Sequence, residues 1–223
     1  MNLEKLDRLS LAAFRNAVRL HLDAISLYRD KRYPSAFLLS VLSQEEIGKA
    51  HMISNFVASS KDSNGYPEKM EKEFLELLYK HPLKQGAFLR YSSTGVSMLS
   101  TKKGRQLYEG VFNGSLEGEK QKATYASLKK KGKVVDIKGS IISPNKITRE
   151  KSEKQISRIH DSLVDSCAGI IADSYDFEIP GIKKVLNRRT YKRLRNLWPI
   201  HSEETRQWVK KIKRFLKEEG RPL

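Results

Sequence analysis

Two carboxylates and an ammonium, Glu45, Glu46 and Lys49, stand in an otherwise apolar run from Tyr33 to Phe56. Pro34 suits a first helical turn, where its missing N–H finds no partner anyway. Phe37, Leu38, Val41, Leu42, Ile47, Ile53 and Phe56 cover more than one face, the pattern of a helix buried on most sides. On that helix Glu45 aligns with Leu38, Leu42, Lys49 and Met52, and Glu46 with Leu39, Leu42, Ala50 and Ile53. A carboxylate among packed neighbours must protonate, find a cation or bind something. Lys49 lies one turn after Glu45, and Gly48 between them lets another backbone or a ligand approach. Joined to a histidine, a carboxylate here serves as acid and base; alone with Lys49 it makes a structural ion pair that pins helix register. Both readings stand on the sequence.

The elements that must position these groups are mostly helical. Leu6, Leu9, Ala13, Ala17, Leu20, Ala24 and Leu27 step by three and four, predicting an amphipathic helix from Asn2 to Arg29 that forms an antiparallel hairpin with the charged core helix. Residues 59–67 are loop formers, and a third helix is expected from Pro67 to Lys80, ended by Pro82, with His81 at its C-terminus beside Lys84. Phe88 to Tyr108 reads as another helix, with Met98, Leu99 and Leu107 as anchors. Residues 124–137 read as a small hairpin whose basic tip, Lys129, Lys130 and Lys131, reaches phosphate or only solvent. A helix from Thr148 carries Ile156, Ile159, Leu163, Cys167, Ile170 and Ile171 as its core stripe and places His160 at the surface. Residues 175–181 break the pattern.

Beyond that break the chain turns densely basic. Arg188, Arg189, Lys192 and Arg193 precede Trp198, the mix of cations and stackable rings that single-stranded nucleic acid favours. A last helix from Ser202 is expected to bury Trp208, Ile212 and Phe215. Over all 223 residues, 43 Lys+Arg face 26 Asp+Glu, a formal charge of +17 that attracts polyanions, so RNA, DNA or an acidic protein is the expected partner. Cys167 is the single cysteine, which excludes an internal disulfide and a thiolate metal cluster and reads as a core thiol in a reducing compartment. No signal-peptide pattern and no membrane-length apolar run occur, predicting a cytoplasmic protein with no membrane partner. Phosphate-cradling glycine loops, metal-ligand spacings and nucleophile elbows are missing too, so no cofactor and no metal are expected.

The combination Tyr33, Ala36, Leu39 and Glu45-Glu46-Ile47-Gly48-Lys49 resembles the AbiV family of bacterial abortive-infection proteins, whose second helix carries an E-E-x-G-K signature. His81-Pro82-Leu83-Lys84 is similar to its H-x-x-K element. Lys122 to Tyr125, leading to Ile142-Ser143-Pro144, is similar to its segment of a basic residue, tyrosine, hairpin and proline. The resemblance spans about residues 5 to 175 and makes His81 a candidate partner for Glu45, Glu46 and Lys49, with Lys84 and Tyr125 nearby. It also implies a HEPN-like fold. Many such domains are metal-independent ribonucleases that carry an arginine, a polar residue and then a histidine, brought together in a dimer. The histidine would deprotonate the ribose 2′-OH and the arginine would offset charge on the phosphorane. This spacing occurs as Arg15-Asn16 with His21 and as Arg195-Asn196 with His201. The first lies mid-helix, where six residues turn the side chains roughly 120° apart; Trp198-Pro199 bends the second, which is preferred.

These readings converge on a mostly α-helical, HEPN-like bundle with a small β-hairpin and a basic helical extension, divided at residues 1–178 and 179–223. The expected function is an abortive-infection effector in phage defence, a homodimer that cleaves or binds RNA and is triggered by a phage-encoded protein. The catalytic candidates are Arg195 with His201, or Glu46, Lys49 and His81. The alternative is a non-catalytic module that binds a phage or ribosomal protein.

Overall fold

A computed structural model describes residues 2–62, 65–91, 102–128, 130–131, 134–135, 138, 141–174, 179–221 and 223. Its first element, α1 (Leu3–Arg29), is capped by the Asn2 side chain, which accepts from Lys5 N, and its buried stripe runs from Leu6 to Ile25 at steps of three and four. A turn through Lys31, with φ of 60°, leads into α2 (Tyr33–Asp62). Ser10 Oγ donates to the Ala50 carbonyl at 3.0 Å and Ser43 Oγ to that of Ala17 at 2.8 Å. A register that runs forward on one helix and backward on the other is antiparallel, as expected of the hairpin. Small residues at this seam, Ala13, Ala17, Ser43 and Ala50, let the backbones come close.

Helix α3 (Glu68–Leu77) closes the open end of the hairpin: Phe74 stacks on Phe56 at 3.9 Å, beside Leu6, Ile53 and Val57. Pro82 does not end a helix. It occupies the first turn of α4 (His81–Tyr91), so His81 lies at a helix N-terminus, where proline's fixed φ and missing N–H are tolerated. Of the single helix expected from Phe88 to Tyr108, the described residues show α4 as far as Tyr91 and α5 (Lys102–Phe112); residues 92–101, with Met98 and Leu99, lie outside the described residues. α6 (Ser115–Thr124) follows a left-handed turn at Gly114. The hairpin is present as two nested antiparallel pairs, β1 (Ser127–Leu128) with β4 (Ile141–Ile142) and β2 (Lys130–Lys131) with β3 (Val134–Val135). Lys129 lies outside the described residues, as do the side chains of Lys130 and Lys131.

The centre of the bundle is α7 (Arg149–Ile171), capped by Thr148 and packed against α1, α2 and the C-terminal helices. It is buried on nearly all sides, so His160, expected at the surface, is fully enclosed. The reason is the basic extension, which covers that face. After a 3-10 turn at Ile182–Lys184, α8 (Arg188–Leu197) and α9 (Glu203–Glu218) contribute Leu194, Ile212 and Leu216 to the same core that holds Phe14 and Cys167. On α9 the buried stripe is Thr205, Val209, Ile212 and Leu216; Phe215 is 41% exposed, because the contact face is turned one residue from the stripe expected. Burial pushes the Cys167 thiol well above its ordinary value, consistent with an inert core residue.

Candidate functional site

The close contact at Gly48 builds the site. A Cβ on Gly48 would fall 1.8 Å from the carbonyl oxygen of Lys84 and 3.1 Å from Phe88 N, so α4 crosses α2 backbone to backbone at this point. Glu45 lies one turn before Gly48 on the same face of α2, and His81, Lys84 and Gln85 lie at the facing turn of α4. The third wall is α6, which brings Glu117 and Lys120.

Glu45, with its side chain 3% exposed, is the hub. Its Oε2 accepts from His81 Nδ1 at 2.6 Å and lies 3.7 Å from Lys84 Nζ. Its Oε1 accepts from Gln85 Nε2 at 2.8 Å and from Lys120 Nζ at 3.0 Å. Burial alone would raise this carboxyl, but the hydrogen bonds from Gln85 and His81, with the Lys120 charge, hold it below the usual carboxylate range. An ionised carboxylate only accepts, so His81 donates through Nδ1–H and its Nε2 is the nitrogen left for chemistry. The His81 side chain is 46% exposed, which places that chemistry at the solvent boundary.

Glu45, His81 and Glu117 each offer an atom within 4.8 Å of the others, the spacing of a small cation site. The cation already among them is an ammonium: Lys120 Nζ pairs with Glu117 Oε2 at 2.6 Å as well as with Glu45. The two acids, Glu45 buried and Glu117 partly buried, are thus matched by Lys84 and Lys120.

A line of buried amides supports the hub from behind. Gln44 Nε2 reaches the Gln85 carbonyl at 3.4 Å, Gln155 Nε2 donates to Gln44 Oε1 at 2.7 Å, and Arg158 Nη1 donates to Gln155 Oε1 at 2.8 Å. Burial pushes Arg158 down to about 10. This line ties α7 to α2 and α4.

Of the three expected partners of His81, Glu45 meets it, and Glu46 and Lys49 do not. Glu46 and Lys49 pair with each other at 3.3 Å, and among the described residues no hydrogen bond or ion pair links them to His81. One residue along a helix is about 100° of rotation, so Glu46 leaves the face that Gly48 opens. Lys84 belongs to the cluster; Tyr125, at the C-cap of α6, is exposed and outside it. Lys120, Glu117, Gln85 and Gln44 were missed. Their signal was faint: Glu117 and Lys120 at i,i+3, His81 and Gln85 at i,i+4, and a glutamine beside Glu45 in an apolar run.

The arginine–histidine spacings fare differently. Arg15 is exposed while His21 is buried, so they point apart. His21 Nε2 instead meets His160 Nδ1 at 3.1 Å. Arg195 and His201 are both exposed, and both charges bear on His160, which burial first and then these two neighbours push down to about 3. They therefore share one region of the surface. Asp161 fastens this region, accepting from His201 N at 3.1 Å and Ser202 N at 2.6 Å.

Of the residues expected to touch RNA, Arg188, Arg189, Lys192 and Arg193 are exposed on α8, opposite its buried Tyr191 and Leu194. Trp198 is corrected: at 8% exposure, edge-on to Tyr28 at 5.0 Å and donating Nε1–H to Ser157 Oγ at 3.1 Å, its ring is not presented to a base. No helix among the described residues is long and apolar enough to cross a membrane.

Comparison with curated proteins and with solved structures gives no match. A family model does match, over residues 5–165, which include α2, the Gly48 crossing and the whole Glu45–His81–Lys120 cluster. With most of its length so matched, and with the helical fold such domains have, the chain belongs to the AbiV family of HEPN domains.

Proposed function

We propose that this protein is an abortive-infection effector that acts on RNA, cleaving it without a metal at the Glu45–His81 pair. The observation that carries this reading is a half-exposed imidazole held at 2.6 Å by a buried, ionised carboxylate, with two ammoniums in the same cluster. Carboxylate and imidazole in this order make a general base: Glu45 orients the ring and offsets its charge as Nε2 takes the ribose 2′-OH proton. The 2′-oxygen attacks phosphorus, the bond to the 5′-oxygen breaks, and that oxygen takes a proton from solvent. Lys84 and Lys120 offset the charge that develops on the phosphorane. The exposed arginines of α8 and Lys192 supply the attraction for the RNA backbone. The cytoplasmic homodimer and the phage-encoded trigger belong to the same proposal.

A second reading keeps Arg195 and His201 as the reacting pair, favoured by their common position over His160. Incubating the full chain with total RNA under EDTA separates the two. Cleavage lost in His81→Ala and Glu45→Gln but kept in His201→Ala supports the first; the opposite pattern supports the second. Intact RNA in every lane, with and without phage extract, leaves the non-catalytic protein-binding module.

A further inference from the structure

The end of α7 and the start of α8 leave an open cavity of about 530 Å³. Its floor is aliphatic, formed by Ile170 and Ile171 from the last turn of α7 and by Leu186. Its rim is cationic: Lys183, Arg188, Arg189 and Arg221 surround it, against one carboxylate among the described residues, Asp173. Asp173 already engages two of the four, Lys183 at 2.5 Å and Arg221 at 2.9 Å. Arg221 is fixed further by donating to the Ile171 carbonyl at 2.9 Å. Arg188 and Arg189 have no carboxylate partner among the described residues. Asp173 also holds φ of 52°, a left-handed conformation unusual outside glycine.

We propose that this cavity binds one nucleoside phosphate, with the phosphate on Arg188 and Arg189 and the base against Ile170, Ile171 and Leu186. Two adjacent guanidiniums with no carboxylate partner among the described residues match phosphate oxygens through paired N–H donors. The aliphatic floor calls for a ligand with an apolar face as well as a charge, which a bare anion lacks. The volume falls within the range of small-ligand sites, roughly 300–1,000 Å³. A nucleotide suits the cavity better than an acidic peptide because the basic surface continues along α8 through exposed Lys192 and Arg193, a track for a polyanion backbone. The ligand is the end of an RNA chain or a free nucleotide. The assignment extends the RNA reading to a single residue of the ligand, and it is separable from that reading because binding here needs no cleavage by His81.

The test uses the full chain carrying His81→Ala, under EDTA, with a short single-stranded RNA bearing a phosphate at one end or hydroxyls at both, read by fluorescence anisotropy. The phosphorylated RNA should bind roughly tenfold tighter. That preference should vanish in Arg188→Ala/Arg189→Ala and in Ile171→Asp, while Lys192→Ala/Arg193→Ala should weaken both RNAs and keep the ratio. Displacement by AMP assigns the cavity to a free nucleotide as well; a standing preference that AMP does not displace assigns it to the chain end. Should the arginine variant fail to fold, protection of Arg188 and Arg189 from phenylglyoxal by AMP or phosphorylated RNA reads the same contact in the native chain. Equal affinity for the two RNAs, a ratio untouched by the arginine variant, or unprotected arginines would overturn the proposal.

Discussion

Gly48 of α2 lies against the backbone of Lys84 on α4 so closely that a methyl group there would stand 1.8 Å from the Lys84 carbonyl oxygen. The contact is between main chains, which cannot rotate away as a side chain can. One missing Cβ therefore sets how near His81 and Gln85 come to Glu45.

Gly48→Ala should separate α2 from α4 at the cost of overpacking, on the order of 3 kcal/mol. Thermal unfolding should show a fall of several degrees, and any RNA cleavage should drop with it. A variant as stable as the native chain would mean that the two helices are not held by this crossing.

Removing the hub charge should cost more than removing its outer partner. Glu45→Ala leaves Lys84 and Lys120 nearly buried without their common acid, and about 3–5 kcal/mol of destabilisation is expected. His81→Ala, at the solvent boundary, should change stability little. Equal urea midpoints for the two variants would show that the cluster is not organised around Glu45.

Stability should fall as the solution is acidified below about pH 6.5. Burial pushes His51 to about 3, and burial with the Arg195 and His201 charges pushes His160 to about 3, from an ordinary 6.5. The unfolded chain protonates first, so their contribution is complete above 6.5 and is lost as pH falls toward 3. His21 is lowered in the same sense. Asp165 opposes them: burial and then Asp161 raise it to about 7, so its contribution is complete below 3.8 and lost as pH rises through 7. Two histidines against one aspartate leave about 1.4 kcal/mol lost per pH unit, steepened by His21 and offset in part by Asp161, which burial also raises. Glu45, held low, adds to the loss below its ordinary value. Urea unfolding at about pH 7 and pH 5 measures the sign; higher stability at the acid end would contradict it.

Asp161→Ala should loosen α9 rather than unfold the bundle. The variant removes the acceptor of the His201 and Ser202 N–H groups, two part-buried hydrogen bonds worth about 1 kcal/mol each. Amide exchange within residues 198–216 should rise while that of α1 and α2 stays unchanged. Uniform protection across the chain would rule out a clasping role.

Sequence alone determined what is local. The three- and four-residue steps of α1, the caps Thr148 and Ser202 and the crowding of apolar residues in α2 each specify a helix through neighbours a turn away, and the order of short motifs around Glu45 marked the family. The site was legible as a buried charge that needed a partner. Which glutamate met His81 was not, because α2 carries apolar residues on every side and offers no polar face to show its rotation. The same lack of contrast hid His160, which looked exposed on α7 until α8 and α9 covered that side, and Trp198, whose arginine neighbours suggested a surface that its ring does not share. Only the tertiary structure decided these points, through one glycine that lets two backbones meet and one aspartate that holds the last helix against the core. Both contacts join residues far apart in the chain, and periodicity carries no information across that distance.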